Sequence, residues 1–319
     1  MQSSAPAPRQ CDGVFVAVVS RERFVPAALC WHAQMRRVGT VCPLKLIWDD
    51  RGRVSLLSTE SLSQLERAFG RESLIAASSL ISGAGFGRSR EPKGRRLLDQ
   101  GREARAAGAL KYWAWALPFA RVVYMDLDTL VLRNVDELVR WPLPANAQLA
   151  AVRCSTRSYH FNSGVLVIRP SREFLRTLVL RDCYWEARHF GNVSHWRGLQ
   201  ACRRYAASGA PVRGSELNIV KACESRAADQ SVINMAVHID YEGRKGRSPG
   251  SAAFLPDRFN ANWQTSAARA ADVAVVHFAG RVKPWDSAKH AETEWKQALR
   301  LKWQQVCGFV NGSSHAGLS

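Results

Sequence analysis

The chain has no apolar run that approaches the length of a membrane-spanning helix, and its N-terminal MQSSAPAPRQ lacks the apolar segment of a secretory signal. Its eight cysteines include no CxxC pair, which argues against a structural zinc site. No internal repeat is visible. These absences argue against a membrane-embedded protein, a zinc module and a repeat protein, and we expect no transmembrane segment.

Acidic side chains are scarce: 27 Asp and Glu stand against 45 Lys and Arg, which gives the 319 residues a formal net charge of +18. Such a chain could bind nucleic acid, an anionic membrane or acidic ligands. The basic residues are scattered, however, and the densest patch, residues 87–105, is interrupted by Glu91, Asp99 and Glu103. Because no nucleic-acid-binding signature accompanies the charge, we interpret it as a solvated surface and expect no nucleic-acid partner.

The even number of cysteines could support disulfides, and NVS at Asn192 and NGS at Asn311 fit the N-glycosylation pattern. Because the chain shows no secretory signal, we interpret both features as chance matches and expect a cytoplasmic protein. An N-terminal anchor missing from this chain would instead place the protein in the Golgi lumen.

Strand-like and helix-like segments alternate along the chain. GVFVAVV (residues 13–19) and PLKLIW (43–48) are β-prone apolar runs, and Pro26 and Gly39 bracket a helix between them. This alternation predicts an α/β domain with a mostly parallel central sheet. We place that single domain at residues 13–305.

Three segments fall outside the regular pattern. We interpret residues 1–12 as a flexible N-terminal segment and residues 306–319 as a polar C-terminal tail. Residues 183–225 have weak periodicity and several polar clusters, so we interpret them as an insertion in the domain.

Two acids, Asp126 and Asp128, follow the apolar run Val122 to Met125. Positions i and i+2 of a strand point the same way, and ligands of open α/β sheets bind beyond the carboxyl ends of strands. Two close carboxylates need a positive charge between them, and a hard divalent cation supplies it. The alternative is that both acids cap the following turn.

A second apolar run, VVHFAGRVKPWD (residues 275–286), also ends in a polar loop. His277 could supply a third metal ligand, although a lone histidine is more often structural. Gly280 lets backbone amides approach an anion, and Lys283 is a point charge for phosphate. Together with the two acids, these residues suit a complex of a metal ion with a diphosphate.

Four segments carry a resemblance to a known family: YMDLDTLVLRNVDEL (124–138), FNSGVLVIRPS (161–171), DQSVIN (229–234) and HFAGRVKPW (277–285). In their residues and their order along the chain, these segments resemble the motifs of glycosyltransferase family 8, and those of its glycogenin-like branch most closely. The resemblance implies a GT-A fold, a UDP-sugar donor, and Mn²⁺ or another divalent cation. It further implies that Asp126, Asp128 and His277 bind the metal, that Asp126 also contacts the donor, and that Gly280 and Lys283 hold the diphosphate.

The same resemblance implies the remaining site residues. Asp229 and Gln230 match the pair that lies beneath the donor sugar and are the implied catalytic residues. The other implied donor-binding residues are Ser20, Phe24, Lys111, Asn162, Ser163 and Gly164. Lys111 lies one residue closer to the acids than is usual in the family, and Phe24 replaces a usual tyrosine.

We therefore expect a retaining hexosyltransferase that moves glucose from a UDP-sugar to an acceptor hydroxyl on a carbohydrate or another molecule. Galactosyl, xylosyl or glucuronosyl transfer to inositol, lipid or glycan remains an alternative, as does an inactive homologue that binds polyanions. A glycoside hydrolase that uses two carboxylates is a further rival. Asp229 could also serve only as a helix cap. The sequence leaves the acceptor, self-glycosylation and the oligomeric state open.

Overall fold

A computed structural model describes residues 11–50, 57–83, 108–154, 160–190, 228–243, 251–265, 271–280, 283–285 and 293–308. The basic patch at 87–105 and both glycosylation-pattern asparagines, Asn192 and Asn311, lie outside these residues. The predicted insertion begins inside a described helix, and its part from residue 191 onward also lies outside the described residues.

The central sheet has seven strands: β1 (Gly13–Val19), β2 (Leu44–Trp48), β3 (Leu74–Ala76), β4 (Arg121–Met125), β6 (Ala147–Arg153), β7 (Phe161–Ile168) and β8 (Ser251–Leu255). Their order across the sheet is β3-β2-β1-β4-β7-β6-β8. Of these strands, β7 runs antiparallel to its neighbours, β4 and β6, and the other pairings are parallel. The predicted α/β domain with a mostly parallel sheet is confirmed.

Within the described residues the helices are α1 (Val25–Arg37), α2 (Thr59–Phe69), α3 (Ala77–Gly83), α4 (Arg172–Phe190), α5 (Ala228–Gly243) and α6 (Glu294–Val306). Ser171 caps α4 by accepting a hydrogen bond from Phe174 N at 3.1 Å. A 3-10 helix, Leu110–Ala116, precedes β4. Among the described helices, none combines the length and apolar character needed to cross a bilayer.

The core consists of two apolar layers, one on each face of the central sheet. Along β1, Phe15 and Ala17 face one layer, whereas Val14 and Val16 face the other. This alternation follows from the two-residue period of a strand. A parallel sheet covered on both faces leaves its strand ends as the accessible edge, which is where the polar residues gather.

A second sheet of three short strands completes that edge. Its strands are β5 (Thr129–Val131), β9 (Ala261–Asn262) and β10 (Val275–His277), in the order β5-β10-β9. β10 pairs antiparallel with β5, so that His277 lies opposite Thr129, and parallel with β9, so that His277 lies opposite Asn262. The small sheet therefore carries His277 to the two acids that precede β5.

Four of the described cysteines form disulfides, whereas none was expected from the sequence. Cys11 is bonded to Cys42 and joins the chain segments that lead into β1 and β2. Cys30 is bonded to Cys307, 277 residues away, and joins α1 to the end of α6. Scattered spacing gave no sign of either pair, because the tertiary fold alone brings these positions together. Among the described residues, Cys154 is a free cysteine.

Candidate functional site

Asp126 and Asp128 lie in a tight turn between β4 and β5. The backbone of Asp126 donates to the Gly164 carbonyl at 2.8 Å, and Thr129 Oγ1 donates to the Asp126 carbonyl at 2.8 Å. Phe278 N donates to the Asp128 carbonyl at 2.9 Å. Both acids are thus held by their backbones at the carboxyl end of β4.

His277 joins these acids at the end of β10. Its Nε2 lies 3.2 Å from Asp128 Oδ1 and 3.8 Å from Asp126 Oδ2. One ligand atom from each of the three residues lies within 4.8 Å of the others. We call Asp126, Asp128 and His277 the metal cluster. Asp128 and His277 are buried, whereas Asp126 is half-buried.

The donor set of the metal cluster fits a divalent cation. Carboxylate oxygens suit hard cations, and an imidazole nitrogen beside them suits a first-row divalent metal. Two carboxylates and one imidazole would bind through Asp126, Asp128 and His277 Nε2. The grouping expected from the sequence is therefore present.

Lys283 approaches the metal cluster from the loop after β10. Its Nζ lies 2.5 Å from Asp128 Oδ2. Burial by itself would raise the pKa of Asp128, but His277 and Lys283 hold it well below its ordinary value. Gly280, in the same loop, has φ of 114°, a conformation that favours glycine. Lys283 thus stands beside the acids, and Gly280 lies in the loop that carries it.

Lys111 forms the centre of a second group of charges. Its Nζ lies 2.6 Å from Asp229 Oδ2 and 3.1 Å from Asp126 Oδ1. It also donates to the carbonyl and the hydroxyl of Ser163 at 3.1 and 3.2 Å. We call Lys111, Asp126, Asp229 and Ser163 the lysine cluster. Burial would lower the pKa of Lys111, but Asp126 and Asp229 raise it above its ordinary value.

Asp229 and Gln230 lie in the first turn of α5. Burial alone would raise the pKa of Asp229, but Lys111 and a hydrogen bond from Ser163 Oγ at 3.1 Å lower it. Gln230 Oε1 accepts Ser163 N at 3.2 Å. The carboxylate of Asp229 is therefore committed to Lys111 and Ser163, which a mere helix cap would not require.

Asn162 and Gly164 lie beside His277 at the start of β7. Asn162 Oδ1 is 3.1 Å from His277 Nδ1 and accepts Gly164 N at 2.8 Å. A β-carbon at position 164 would overlap the His277 ring, so only glycine leaves room for it. The sequence predicted both residues as donor contacts, and the structure brings both against a metal-cluster residue.

Ser20 and Phe24 follow the end of β1 and are not members of either charged cluster. Ser20 is buried, and Phe24 is partly buried. The Phe24 ring makes an edge-on contact with Trp285, with ring centroids 6.0 Å apart. Trp285 comes two residues after Lys283, so the aromatic pair borders the loop that carries this lysine.

Sequence reasoning missed three residues at this site. Tyr124 donates its hydroxyl to Asp126 Oδ1 at 2.7 Å, and its position two residues before Asp126 on β4 was the available signal. Asn260 Nδ2 donates to Asn162 Oδ1 at 2.8 Å. Trp285, which lies in the HFAGRVKPW segment and had no predicted role, packs on Phe24.

No protein-family model and no curated protein sequence matches this chain. Among solved structures, the chain is similar to the galactosyltransferase LgtC, crystallised with donor and acceptor sugar analogues, with a TM-score of 0.54 and 15% identity over 95% of this chain and 98% of that one. The chain has a GT-A fold. It is also similar to the glycosyltransferase GlyE of Streptococcus pneumoniae TIGR4, with a TM-score of 0.51 and 14% identity over 93% of this chain and 62% of that one.

These likenesses confirm the predicted fold and extend no further, because identities this low establish architecture rather than activity. The chain spans nearly all of LgtC but less than two thirds of GlyE. Neither structure singles out the glycogenin-like branch that the sequence motifs resemble. Activity, donor and metal must therefore be argued from the residues of this site.

Proposed function

We propose that the chain is a retaining, metal-dependent glycosyltransferase that moves a hexosyl unit, glucose, from a UDP-sugar to an acceptor hydroxyl. The metal cluster carries the proposal: three ligand atoms within 4.8 Å at a strand end of a GT-A fold, with Lys283 2.5 Å from Asp128. The similar fold of LgtC, a galactosyltransferase crystallised with donor and acceptor sugar analogues, supports sugar transfer as the reaction class.

The diphosphate of the donor would face the metal cluster and Lys283. A divalent cation held by Asp126, Asp128 and His277 would neutralise the departing diphosphate. Lys283, only 28% exposed and close to Asp128, adds a fixed positive charge, and the glycine backbone at Gly280 admits close approach of an anion.

The uridine would lie at the end of β1. Phe24 offers an aromatic face for the base, and its edge-on contact with Trp285 restricts the rotation of the ring. Ser20 lies at the same strand end and is buried. Because Trp285 follows Lys283 closely, one loop would support the base through Phe24 and the diphosphate through Lys283.

In the proposed reaction the acceptor oxygen forms a bond to the anomeric carbon on the face from which the diphosphate departs. The bond between that carbon and the diphosphate oxygen breaks, and its electron pair stays with the diphosphate. The acceptor proton passes to the departing diphosphate oxygen. Attack on the same face as departure retains the configuration of the sugar.

The surroundings of Asp229 support same-face attack over a covalent intermediate. A carboxylate 2.6 Å from Lys111 and hydrogen-bonded by Ser163 is strongly neutralised and is a weak nucleophile. We assign it to orienting a sugar hydroxyl, together with Lys111. Gln230 Oε1 uses one lone pair on Ser163 N, and the other remains for positive charge at the anomeric carbon.

Asp229→Asn tests this assignment. Asparagine can still cap a helix, so we expect the variant to fold and to bind UDP while losing most transfer activity. Turnover of UDP-glucose and the affinity for UDP, measured on the same preparation, separate the two effects. Unimpaired turnover would leave Asp229 only a structural role, and an inverted product anomer would overturn same-face attack.

A panel of UDP-sugars tests the function itself. UDP-glucose, UDP-galactose, UDP-xylose and UDP-glucuronic acid are incubated with the protein with and without Mn²⁺, and UDP release is measured. We expect Mn²⁺-dependent release that is greatest with UDP-glucose, and mass spectrometry of the protein then detects self-glycosylation. Asp128→Ala is the control for contaminating activity. Metal-independent sugar release would favour a hydrolase, and UDP binding without any turnover would favour an inactive homologue.

The two disulfides support the Golgi lumen rather than the cytoplasm as the compartment of the protein. Disulfides persist in oxidising compartments and are rare in the cytosol. We therefore propose that the chain matures in a secretory compartment such as the Golgi lumen. Mass spectrometry of alkylated protein from native cells, before and after reduction, counts the bonded cysteines. Free thiols at Cys11, Cys42, Cys30 and Cys307 would instead support a cytoplasmic location.

A further inference from the structure

Three nitrogen atoms lie within hydrogen-bond distance of the side-chain oxygen of Asn162. It accepts Gly164 N at 2.8 Å and Asn260 Nδ2 at 2.8 Å, and His277 Nδ1 lies 3.1 Å away. A carbonyl oxygen has two lone pairs and no hydrogen to donate. These partners therefore occupy the oxygen end of the Asn162 amide, and only its NH₂ end is left to contact a sugar.

This arrangement places a hydrogen on one nitrogen of His277, Nδ1. Because the oxygen of Asn162 can only accept, the contact at 3.1 Å requires a hydrogen on His277 Nδ1. The other nitrogen, Nε2, then points at Asp128 Oδ1, 3.2 Å away, and at Asp126 Oδ2, 3.8 Å away. The imidazole thus presents Nε2 to the carboxylates, which is the orientation a metal ligand needs.

Two neighbours keep Asn162 in this orientation. Asn260, 4% exposed, directs its NH₂ group at the oxygen, so that rotating the Asn162 amide by half a turn would bring two NH₂ groups together. Gly164 donates from its backbone and leaves space for the ring, since a β-carbon there would overlap His277 Cε1. The His277 ring is therefore held at Nδ1 by Asn162 and is packed against the backbone of Gly164.

We propose that Asn162, itself oriented by Asn260, is a positioning residue that fixes the ring of His277 for a divalent cation. The inference rests on the proposed function, because that function requires the metal cluster to bind a cation. It differs from a role for Asn162 as a donor-sugar contact, which would act only when a sugar is present. The two roles can be separated with UDP, which carries no sugar.

The first measurement is the Kd of Mn²⁺ for the protein saturated with UDP, by calorimetry. Loss of a partner that orients a metal-binding histidine typically weakens the metal about 10–100-fold, and we expect that loss for Asn162→Ala. Asn162→Asp keeps an acceptor oxygen for Nδ1–H and should retain an affinity close to wild type. Asn260→Ala should weaken Mn²⁺ less than Asn162→Ala, because it acts through Asn162.

The matched control is Asn262→Ala, which removes an asparagine from the strand beside β10. Asn262 Oδ1 accepts Gln264 N at 2.9 Å and makes its strand pairing with His277 through the backbone. Its replacement should leave the Mn²⁺ affinity unchanged. If Asn162→Ala binds Mn²⁺ and UDP like wild type and loses only UDP-sugar affinity, Asn162 is a sugar contact and the inference is wrong.

The second measurement needs neither metal nor substrate. In the metal-free protein, ¹⁵N-histidine NMR should show a His277 Nδ1–H proton protected from solvent exchange, assigned by its absence in His277→Gln. The signal should persist in Asn162→Asp and in Asn262→Ala and disappear in Asn162→Ala. A signal unaffected by Asn162→Ala overturns the inference even if the protein binds no nucleotide, whereas absent Mn²⁺ binding by wild type counts against the proposed function alone.

Discussion

The metal cluster and the lysine cluster differ in how the repulsion between two neighbouring carboxylates is offset. Each places two carboxylates close together, and they share Asp126. In the lysine cluster the positive charge is built in, because Lys111 Nζ lies within 3.1 Å of both acids and its side chain is 5% exposed. In the metal cluster the third member is an imidazole, and the nearby Lys283 is 28% exposed.

The difference separates a cation that holds the fold, Lys111, from a cation placed to bind a ligand, Lys283. A buried charge pair is costly to break, since the remaining partner is left uncompensated. The lysine cluster should therefore respond to mutation through stability as well as through the transfer activity assigned to Asp229. Lys283 beside the metal cluster is 28% exposed, against 5% for Lys111, so the metal cluster should respond through binding of metal and nucleotide. Four substitutions test this division.

The largest effect is expected for Asp128→Ala in the metal cluster. Removing a direct ligand should abolish Mn²⁺-dependent UDP binding, a greater loss than the ~10–100-fold typical of an outer partner. Adding Asp126→Ala should cost little more, because residues that act as a unit are not additive. Calorimetry with UDP and Mn²⁺ measures both.

Asp136→Ala is the matched control for this substitution. Asp136 is also a buried acid, but it accepts Val41 N at 3.0 Å and lies outside both clusters. The Asp136→Ala protein should be less stable than wild type but should keep Mn²⁺-dependent binding of UDP. Full Mn²⁺ dependence in Asp128→Ala would mean that the metal cluster has been assigned to the wrong residues.

Lys111→Met should act mainly on stability. It leaves Asp126 and Asp229 without their shared cation, and the free energy of unfolding should fall by about 3–5 kcal/mol, the range for breaking one side of a buried pair. Urea titration measures the loss, and Asp229→Asn in the same chain should restore part of it. Lys45→Met is the control, since Lys45 Nζ donates to the Glu72 carbonyl at an exposed site. A loss no larger than that of Lys45→Met would erase the distinction between the clusters.

Local patterns predicted much of this fold because each element depends on neighbouring residues. The β-prone run at β1 and the bracketed α1 follow from short stretches of sequence. The position of β7 could not be predicted this way. Its antiparallel insertion between β4 and β6 depends on how distant segments pack.

The site shows the same limit at the level of side chains. Asp126, Asp128 and His277 could be predicted as site residues from the sequence. Polar residues at the ends of apolar runs are a local signal. The contact between Asn162 and His277 joins residues 115 positions apart, and no local pattern records it. The role of Lys111 was likewise hidden, since its partner Asp229 lies 118 positions later in the chain and only the tertiary fold brings the two together.

Lys283→Met tests whether the more exposed cation serves binding, as the comparison requires. UDP binding should weaken by ~1.5–3 kcal/mol, the range for a hydrogen bond to a charged group. Uridine, which has no phosphate, should bind almost as before. The urea midpoint should change less than in Lys111→Met. Equal losses for UDP and uridine would show that Lys283 acts through the fold.

The smallest effect is expected where the two clusters meet, at Tyr124. Its hydroxyl donates to Asp126 Oδ1 at 2.7 Å, the oxygen that Lys111 also approaches, while Oδ2 faces His277. Burial, followed by the charge of Asp126, raises the pKa of Tyr124 well above its ordinary value, so the hydroxyl remains a donor at neutral pH.

Tyr124→Phe removes that donor and preserves the ring beneath Lys111 Nζ, 4.7 Å from its centroid. Because Lys111 still neutralises Oδ1, the free energy of unfolding should fall by only about 1 kcal/mol, the net value of a typical hydrogen bond. Mn²⁺ affinity should fall only slightly, since the oxygen facing the metal cluster keeps its surroundings. A loss of metal affinity as large as that of Asp128→Ala would mean that Asp126 is oriented by Tyr124 rather than by Lys111, and that the shared acid belongs functionally to the metal cluster alone.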